Sequence, residues 1–261
     1  MINLKSPLFI VLITILAVVL LLLCAISIVA KKNVAAMNRG VDMALEELNK
    51  NYKLTAVDPG QFKELKIYGI MKFRVEQYDI EDLGNLSVMR VNVGAMQMST
   101  FVITPFDKNL PLLSVDYMYM LSNRKAYIEF YDLVKEKDEQ YMQLMDDLNA
   151  VKANYSHLED TQPSEAWYDH LLTVASFKIA KSDADDDLIN MLLDSMRVYL
   201  EHGKKLPALS EAERAEKLAI TSEYSKGLIE KGGICTDVFK KQLGYDVTKQ
   251  FFDSVFFGTA K

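Results

Sequence analysis

Three rhythms of apolar residues run along this chain, and each predicts a different kind of element. The first is an unbroken one: Pro7 to Ala30 carries no charge and is almost wholly apolar. A bilayer core takes about 20 such residues in one helix, whereas the core of a secretory signal spans only about 7–15. The run therefore predicts a single membrane anchor, residues 1–32 with its flanks. The alternative is an export signal kept or cut late, and Ser27-Ile28-Val29-Ala30 makes a poor cleavage site for one. The second rhythm is helical. Val34, Met37, Val41, Leu45 and Leu48 recur on one side, so residues 33–60 read as a helical stalk or linker that either continues the membrane helix or packs on the soluble domain. Asp58-Pro59-Gly60 signals a turn.

The third rhythm has period two. Leu65, Ile67, Met71, Phe73 and Val75 alternate with more polar residues; Met89, Val91 and Val93 come next, then Met96, Met98, Thr100 and Val102, then Leu113 to Leu121, then Ala126, Ile128 and Phe130. Between them lie short turn signals at Asp82-Leu83-Gly84-Asn85, Gly94, Pro105 to Asn109, and Ser122-Asn123-Arg124. Short links between consecutive strands favour antiparallel pairing, so the middle of the chain predicts a meander of about five strands.

Helical spacing then returns. Tyr141, Leu144, Leu148 and Val151 mark one amphipathic helix, a strand-like piece from Leu172 to Ile179 interrupts, and a second helix is expected after Asp185-Asp186-Asp187, with Leu188, Leu192, Met196 and Tyr199 on its apolar face. Ser210-Glu211-Ala212-Glu213 is a capping box opening a helix that should stop at Gly232-Gly233. A short helix ends at Leu243-Gly244, and Asp246 is placed to cap the last one. Helices flanking an antiparallel sheet, without strand–helix alternation, predict an α+β fold: a central antiparallel sheet with helices on both faces, an α/β/α sandwich, in one domain spanning residues 61–261.

Charge narrows the partners. The formal net charge of −6 over 261 residues argues against nucleic acid, which wants a basic face. Lys31, Lys32 and Arg39 come after the apolar run, against Lys5 and the amino terminus before it. That excess leans the soluble domain toward the cytoplasmic side of a cell (inner) membrane crossed once. Of the two cysteines, Cys24 lies inside the apolar run, so no disulfide framework is implied.

Motif chemistry is sparse. There is no Gly-rich nucleotide loop and no C-x-x-C pair. His157, His170 and His202 lack ligand spacing, and no metal site is expected. Asp183, Asp185 and Asp187 resemble the start of a calcium loop, but Leu188 and Asp194 stand where that loop needs Gly and Glu, so helix capping is the better reading. Asn85-Leu86-Ser87 and Asn154-Tyr155-Ser156 fit the glycosylation triplet, which is common by chance. What stands out is one charge in the most apolar soluble stretch, Leu110 to Leu121. Asp116 sits in its middle, with no basic residue nearer than Lys108 and Arg124. A buried carboxylate costs several kcal/mol, on the order of its desolvation, unless paired, hydrogen-bonded or protonated. Asp116 is therefore either satisfied structurally or used as a proton donor. Alternation puts it on one sheet face with Ser114, Met118 and Met120, a soft face suited to a large flat ligand; Leu113, Val115, Tyr117, Tyr119 and Leu121 take the other face, suited to helix packing.

Several of these segments also carry a family resemblance. Phe101-Val102-Ile103-Thr104-Pro105, Leu110 to Asp116 and Tyr131-Asp132-Leu133 are similar to the core of the ferredoxin-dependent bilin reductases, with a strand ending in Pro, a Leu-Pro, an apolar strand bearing an aspartate and a strand closing in Asp-Leu. Phe239 to Gly244, Phe251 to Gly258 and Trp167 to Phe177 resemble the rest of that family's second half. The resemblance runs in order from Leu65 to Gly258 and rests on spacing rather than on one specific motif.

The resemblance implies a linear tetrapyrrole such as biliverdin bound between sheet and helices, no bound cofactor, single electrons from ferredoxin and protons from side chains. Asp116 matches the family's protonating aspartate, and Thr100, Ser114, Met118 and Met98 are the expected substrate-binding residues. The chain also departs from the family. Thr100 stands where some members have histidine, Met89 and Arg90 where they have glutamate, and Asp237 falls late for a second aspartate. The expected function is a membrane-anchored bilin reductase-like oxidoreductase. The alternatives are a non-catalytic module binding a tetrapyrrole or another ligand at the membrane, and a structural protein-interaction domain.

Overall fold

A computed structural model describes residues 7–163, 165–233 and 236–260. In it the two N-terminal rhythms form one unbroken helix, α1 (Pro7–Asn51). Nothing at Ala30-Lys31-Lys32-Asn33 breaks a helix, since the junction has neither Pro nor Gly. The helix is long and apolar enough to cross a membrane. Its second half packs on the domain: Met37, Val41, Ala44 and Leu48, at helical spacing, are buried in the core beside the sheet.

The strands are β1 (Leu54–Val57), β2 (Glu64–Ile67), β3 (Met71–Ile80), β4 (Gly84–Val93), β5 (Met96–Pro105), β6 (Leu112–Met120), β7 (Asn123–Tyr131), β8 (Glu159–Asp160) and β9 (Leu172–Lys181). They form one nine-stranded sheet in the order β1-β3-β4-β5-β6-β7-β9-β8, with β2 also paired to β3. Among the described residues, these neighbours all pair antiparallel. The expected meander is β3 to β7. The alternating run from Leu65 to Val75 divides into two strands, because Tyr68 and Gly69 both take positive φ (51° and 72°) and turn the chain back on itself.

Helices cover both faces. On one side α1, α2 (Glu139–Asn154) and α3 (Asp185–Lys205) enclose a core with Leu113, Val115, Tyr117, Ile128 and Phe130. On the other, α4 (Glu211–Lys231), α5 (Thr236–Leu243) and α6 (Tyr245–Phe251) pack with Phe73, Val75, Met89, Val91 and Tyr131. The protein is thus an α+β, α/β/α sandwich. The Ser210–Glu213 capping box opens α4, and Gly232 ends it at φ 93°. Two helix starts differ from expectation. Asp185, Asp186 and Asp187 form the first turn of α3 instead of preceding it, where their charges meet the positive end of the helix. The N-cap of α6 is Gly244, and Asp246 lies inside the first turn.

After α6 the chain makes a π-helical turn, Phe252–Phe256, whose carbonyls need partners. The Asn85 side chain donates to Val255 O (3.1 Å), Ser87 to Phe256 O (2.8 Å) and Gln77 to Ser254 O (2.9 Å). This is why polar residues occupy buried positions of β3 and β4. It also accounts for the Asn85-Leu86-Ser87 triplet as a structural clamp.

Candidate functional site: a slot between the sheet and the C-terminal helices

The clamp holds the C-terminal turn against one end of the sheet, and α4 and α5 lean over the middle. Between them and the sheet remains a slot with a cavity volume of about 120 Å³, which widens into an open mouth. Strand alternation decides what faces it. β6 contributes Ser114, Asp116 and Met118, β5 contributes Met98 and Thr100, β7 contributes Lys125, Tyr127, Glu129 and Tyr131, and β4 contributes Met89 and Val91.

Asp116 and Thr100 are register partners on β6 and β5. The Thr100 hydroxyl donates to Asp116 Oδ1 at 2.5 Å. Burial pushes the Asp116 carboxyl up to about 6, with the Thr100 bond restraining the rise. A hydroxyl donor stabilises the carboxylate without supplying a countercharge, so Asp116 gains and loses its proton within the physiological range.

Glu129 lies on the neighbouring strand, paired in register with Ser114 while Asp116 pairs with Tyr127. The two carboxyl-bearing positions are therefore diagonal neighbours, about 7–8 Å apart at the backbone. Glu129 is only 7 % exposed. Burial first, and then the Asp116 charge, push it up to about 8. Glu129 is accordingly protonated at neutral pH, and the slot holds two carboxyl groups kept from full ionisation.

The wall opposite the sheet is aromatic. Tyr224 of α4 sits 5.3 Å from Tyr131 and 5.9 Å from Tyr168, ring centre to ring centre. Trp167 lies behind them, its indole N–H donating to Gly232 O at 2.7 Å. Gly227 is what lets it lie so close to α4: a Cβ there would stand 2.4 Å from the Trp167 ring. Flat rings on one wall and methionines on the other suit a planar, polarizable ligand.

The five residues expected from sequence, Met98, Thr100, Ser114, Asp116 and Met118, all line this one space. Glu129 was not among them, although its signal is visible: Ala126, Ile128 and Phe130 form one face of β7, which puts Tyr127, Glu129 and Tyr131 on the other. Of the positions where the chain departs from the family pattern, Met89 is in register with Thr100 and lines the slot. Arg90 turns to the opposite face and pairs with Glu76 and with Asp42 of α1. Asp237 pairs with Lys240 at 3.2 Å with its side chain 68 % exposed, and its neighbour Thr236 reaches the slot instead. Ile234 and Cys235 lie outside the described residues. The histidines have separate roles: His202 bonds Asp147 at 2.8 Å, His157 bonds Asp187 at 3.4 Å and His170 bonds Trp167 O at 3.0 Å. Among the described residues, no group of three or more His, Cys, Asp or Glu side chains is disposed to hold a metal ion.

No protein-family model matches the chain, and no curated protein matches its sequence. The architecture is what connects it to known proteins. It is similar to the crystal structure of phytochromobilin synthase from tomato in complex with biliverdin, with a TM-score of 0.67 at 14 % sequence identity, over 85 % of this chain and 83 % of that one. The chain therefore has the bilin reductase fold, at a sequence distance where the fold alone is shared.

Proposed function

We propose that this protein is a membrane-tethered bilin reductase-like enzyme. It binds a linear tetrapyrrole of the biliverdin type in the slot and reduces one of its double bonds with electrons delivered singly by ferredoxin. α1 anchors it through residues 7–30, with the domain in the cytoplasm. The observation that carries the reading is Asp116: a carboxyl raised to about 6, bonded to a neutral hydroxyl, on the floor of a slot lined by methionines and tyrosines.

Reducing one double bond takes two electrons and two protons. The first electron makes a charged radical on the ligand, and a proton must reach it before or with the second. A side chain that is protonated yet acidic suits that step, because a general acid works best with a pKa near the operating pH. Asp116, at about 6, holds its proton part of the time near neutrality and fully below pH 6, and Glu129, at about 8, holds a second proton in the same slot. Low polarity around the ligand slows proton entry from bulk water, so the position of the acid selects the carbon that receives the proton. Lys125, exposed at one end of the lining, offers a partner for a ligand carboxylate.

The test uses the full chain in detergent. Biliverdin should change its visible spectrum on binding and change it again under reduced ferredoxin without oxygen. Binding with no turnover leaves a tetrapyrrole-binding module and removes the catalytic half; no spectral change on mixing removes the tetrapyrrole altogether.

A further inference from the structure

The domain grips α1 immediately beyond its apolar run. Asn33, three residues past Ala30, is 1 % exposed. Its amide donates to Gln97 Oε1 and to Leu121 O, both at 2.9 Å, and its oxygen accepts from Arg124 Nη2 at 2.9 Å. Arg124 is in turn held by Asp185, Nε to Oδ1 at 2.6 Å. Asn33 thus ties α1 to the β4–β5 and β6–β7 turns. With a rise of about 1.5 Å per residue, it lies only about 4.5 Å along the axis from Ala30. Ile26, Val29 and Ala30 are already partly covered, whereas Ile10 to Leu23 stand open. The headgroup layer on each side of a bilayer's hydrocarbon core is about 5–7 Å deep. A turn bonded to Asn33 cannot stand clear of that layer if the apolar run spans the membrane.

The side chains at this end match such surroundings. Met120 and Leu121, at the β6–β7 turn, are 47 % and 42 % exposed. The β2–β3 turn lies at the same end of the sheet, since β3 starts where β4 ends and β5 starts, and among the described residues its Tyr68 and Ile70 are the most exposed large apolar residues of the domain. The slot opens the same way. Its lining passes from buried Leu112, Glu129 and Tyr131, near the clamped C-terminal turn, to partly exposed Met98 and Met118 and exposed Lys125. Met98, Met118 and Lys125 are consecutive register partners at the end of the sheet nearest Asn33.

We infer that the turns at Tyr68–Ile70 and Met120–Leu121 rest in the headgroup layer of the membrane that α1 crosses, and that the slot's mouth, between Met98, Met118 and Lys125, opens onto that layer. The partner is a lipid surface, with Lys31, Lys32 and Lys125 at the level of the phosphates. A flat amphipathic ligand reaching the slot then passes the lipid headgroups. The inference rests on the membrane reading of α1 and is independent of which ligand is bound.

Depth measurement tests it on the full chain, reconstituted into vesicles of phosphatidylcholine and phosphatidylglycerol. In a Cys24→Ala, Cys235→Ala background, single cysteines replace Ile15, Ile70, Leu121, Lys125 or Lys108 and carry an environment-sensitive fluorophore. Lipids bearing a nitroxide on the headgroup should quench the labels at Ile70, Leu121 and Lys125 severalfold more than the one at Lys108, which belongs to the far end of the sheet. Lipids bearing the nitroxide on the acyl chain should quench the label at Ile15. If Ile15 is quenched and the three others match Lys108, the domain stands off the bilayer and the inference fails while the anchor survives. Quenching at Leu121 without quenching at Lys125 overturns the placement of the mouth. No quenching at Ile15 overturns the anchor and this inference together.

Discussion

The two faces of the sheet are built from the same strands by opposite rules. On β6, Leu113, Val115, Tyr117 and Tyr119 face α1, α2 and α3, and all are at most 3 % exposed. Two buried hydroxyls on that side find backbone partners: the Tyr117 hydroxyl donates to Leu188 O and the Tyr199 hydroxyl to Pro111 O, both at 2.9 Å. Ser114, Asp116 and Met118, one residue out of phase, face a space that α4, α5 and the C-terminal π-helical turn roof without filling. One face is closed by three helices over the larger of the two buried clusters. The other is left open, and burial there unsettles the charge of two carboxyl groups. A two-residue period lets a single strand serve both ends without compromise.

The contrast can be broken most strongly from the closed side. Phe130→Ala removes a ring that packs 5.8 Å from Tyr199 and should cost about 3–5 kcal/mol of unfolding free energy. Urea denaturation in detergent measures it. Asp116→Asn, by contrast, preserves an oxygen that can accept from Thr100 and should change stability by about 1 kcal/mol or less. Its effect belongs to chemistry: bilin reduction should fall about 10²–10⁴-fold while the binding spectrum persists. In the parent protein the rate should decline as pH rises above about 6, where Asp116 loses its proton; a flat profile from pH 5 to 8 would remove Asp116 as the acid.

Glu129 makes the open face sensitive to pH in a second way. Its carboxyl is raised from 4.5 to about 8, so between those values the folded chain holds a proton that the unfolded chain has released. Stability should therefore fall as pH rises through that window and level off above it. Glu129→Gln should flatten that slope, a difference on the order of a few kcal/mol at pH 8, read from urea midpoints at several pH values. Unchanged slopes would mean that Glu129 ionises freely and that the slot is wetter than its lining suggests. The smallest effect sharpens the comparison of the two roofs. Ser210→Ala on α4 and Asp138→Ala on α2 each remove an N-cap and should each cost about 1 kcal/mol. Only the α4 variant should weaken bilin binding, since α2 lies across the sheet from the slot.

Much of this was legible before the fold was known, and the boundary is instructive. Asp116 announced itself by lying in an otherwise uncharged run. Glu129 did not, because Lys125, Tyr127 and Glu129 alternate with apolar residues as they would on any strand with one wet face. Whether that face met water or a cavity depended on where α4 to α6 settled, which rests on Asn85, Ser87 and Gln77 gripping carbonyls some 170 residues away. The two runs at the N-terminus were readable as helix by period, while their fusion into one helix and the Asn33 contacts with Gln97, Leu121 and Arg124 came from long-range packing.

Sequence alone determined the local elements: the long apolar helix, the alternating strands, the Ser210 capping box and the odd carboxylate. Those arise from periodicity and from the cost of burying charge, which act over a few residues. Tertiary structure decided which alternate face became a slot, that Glu129 joined Asp116 within it, and toward which end it opened. Those depend on which surfaces distant segments cover, and covering a surface, not the residue type on it, sets whether a carboxyl meets water or keeps its proton.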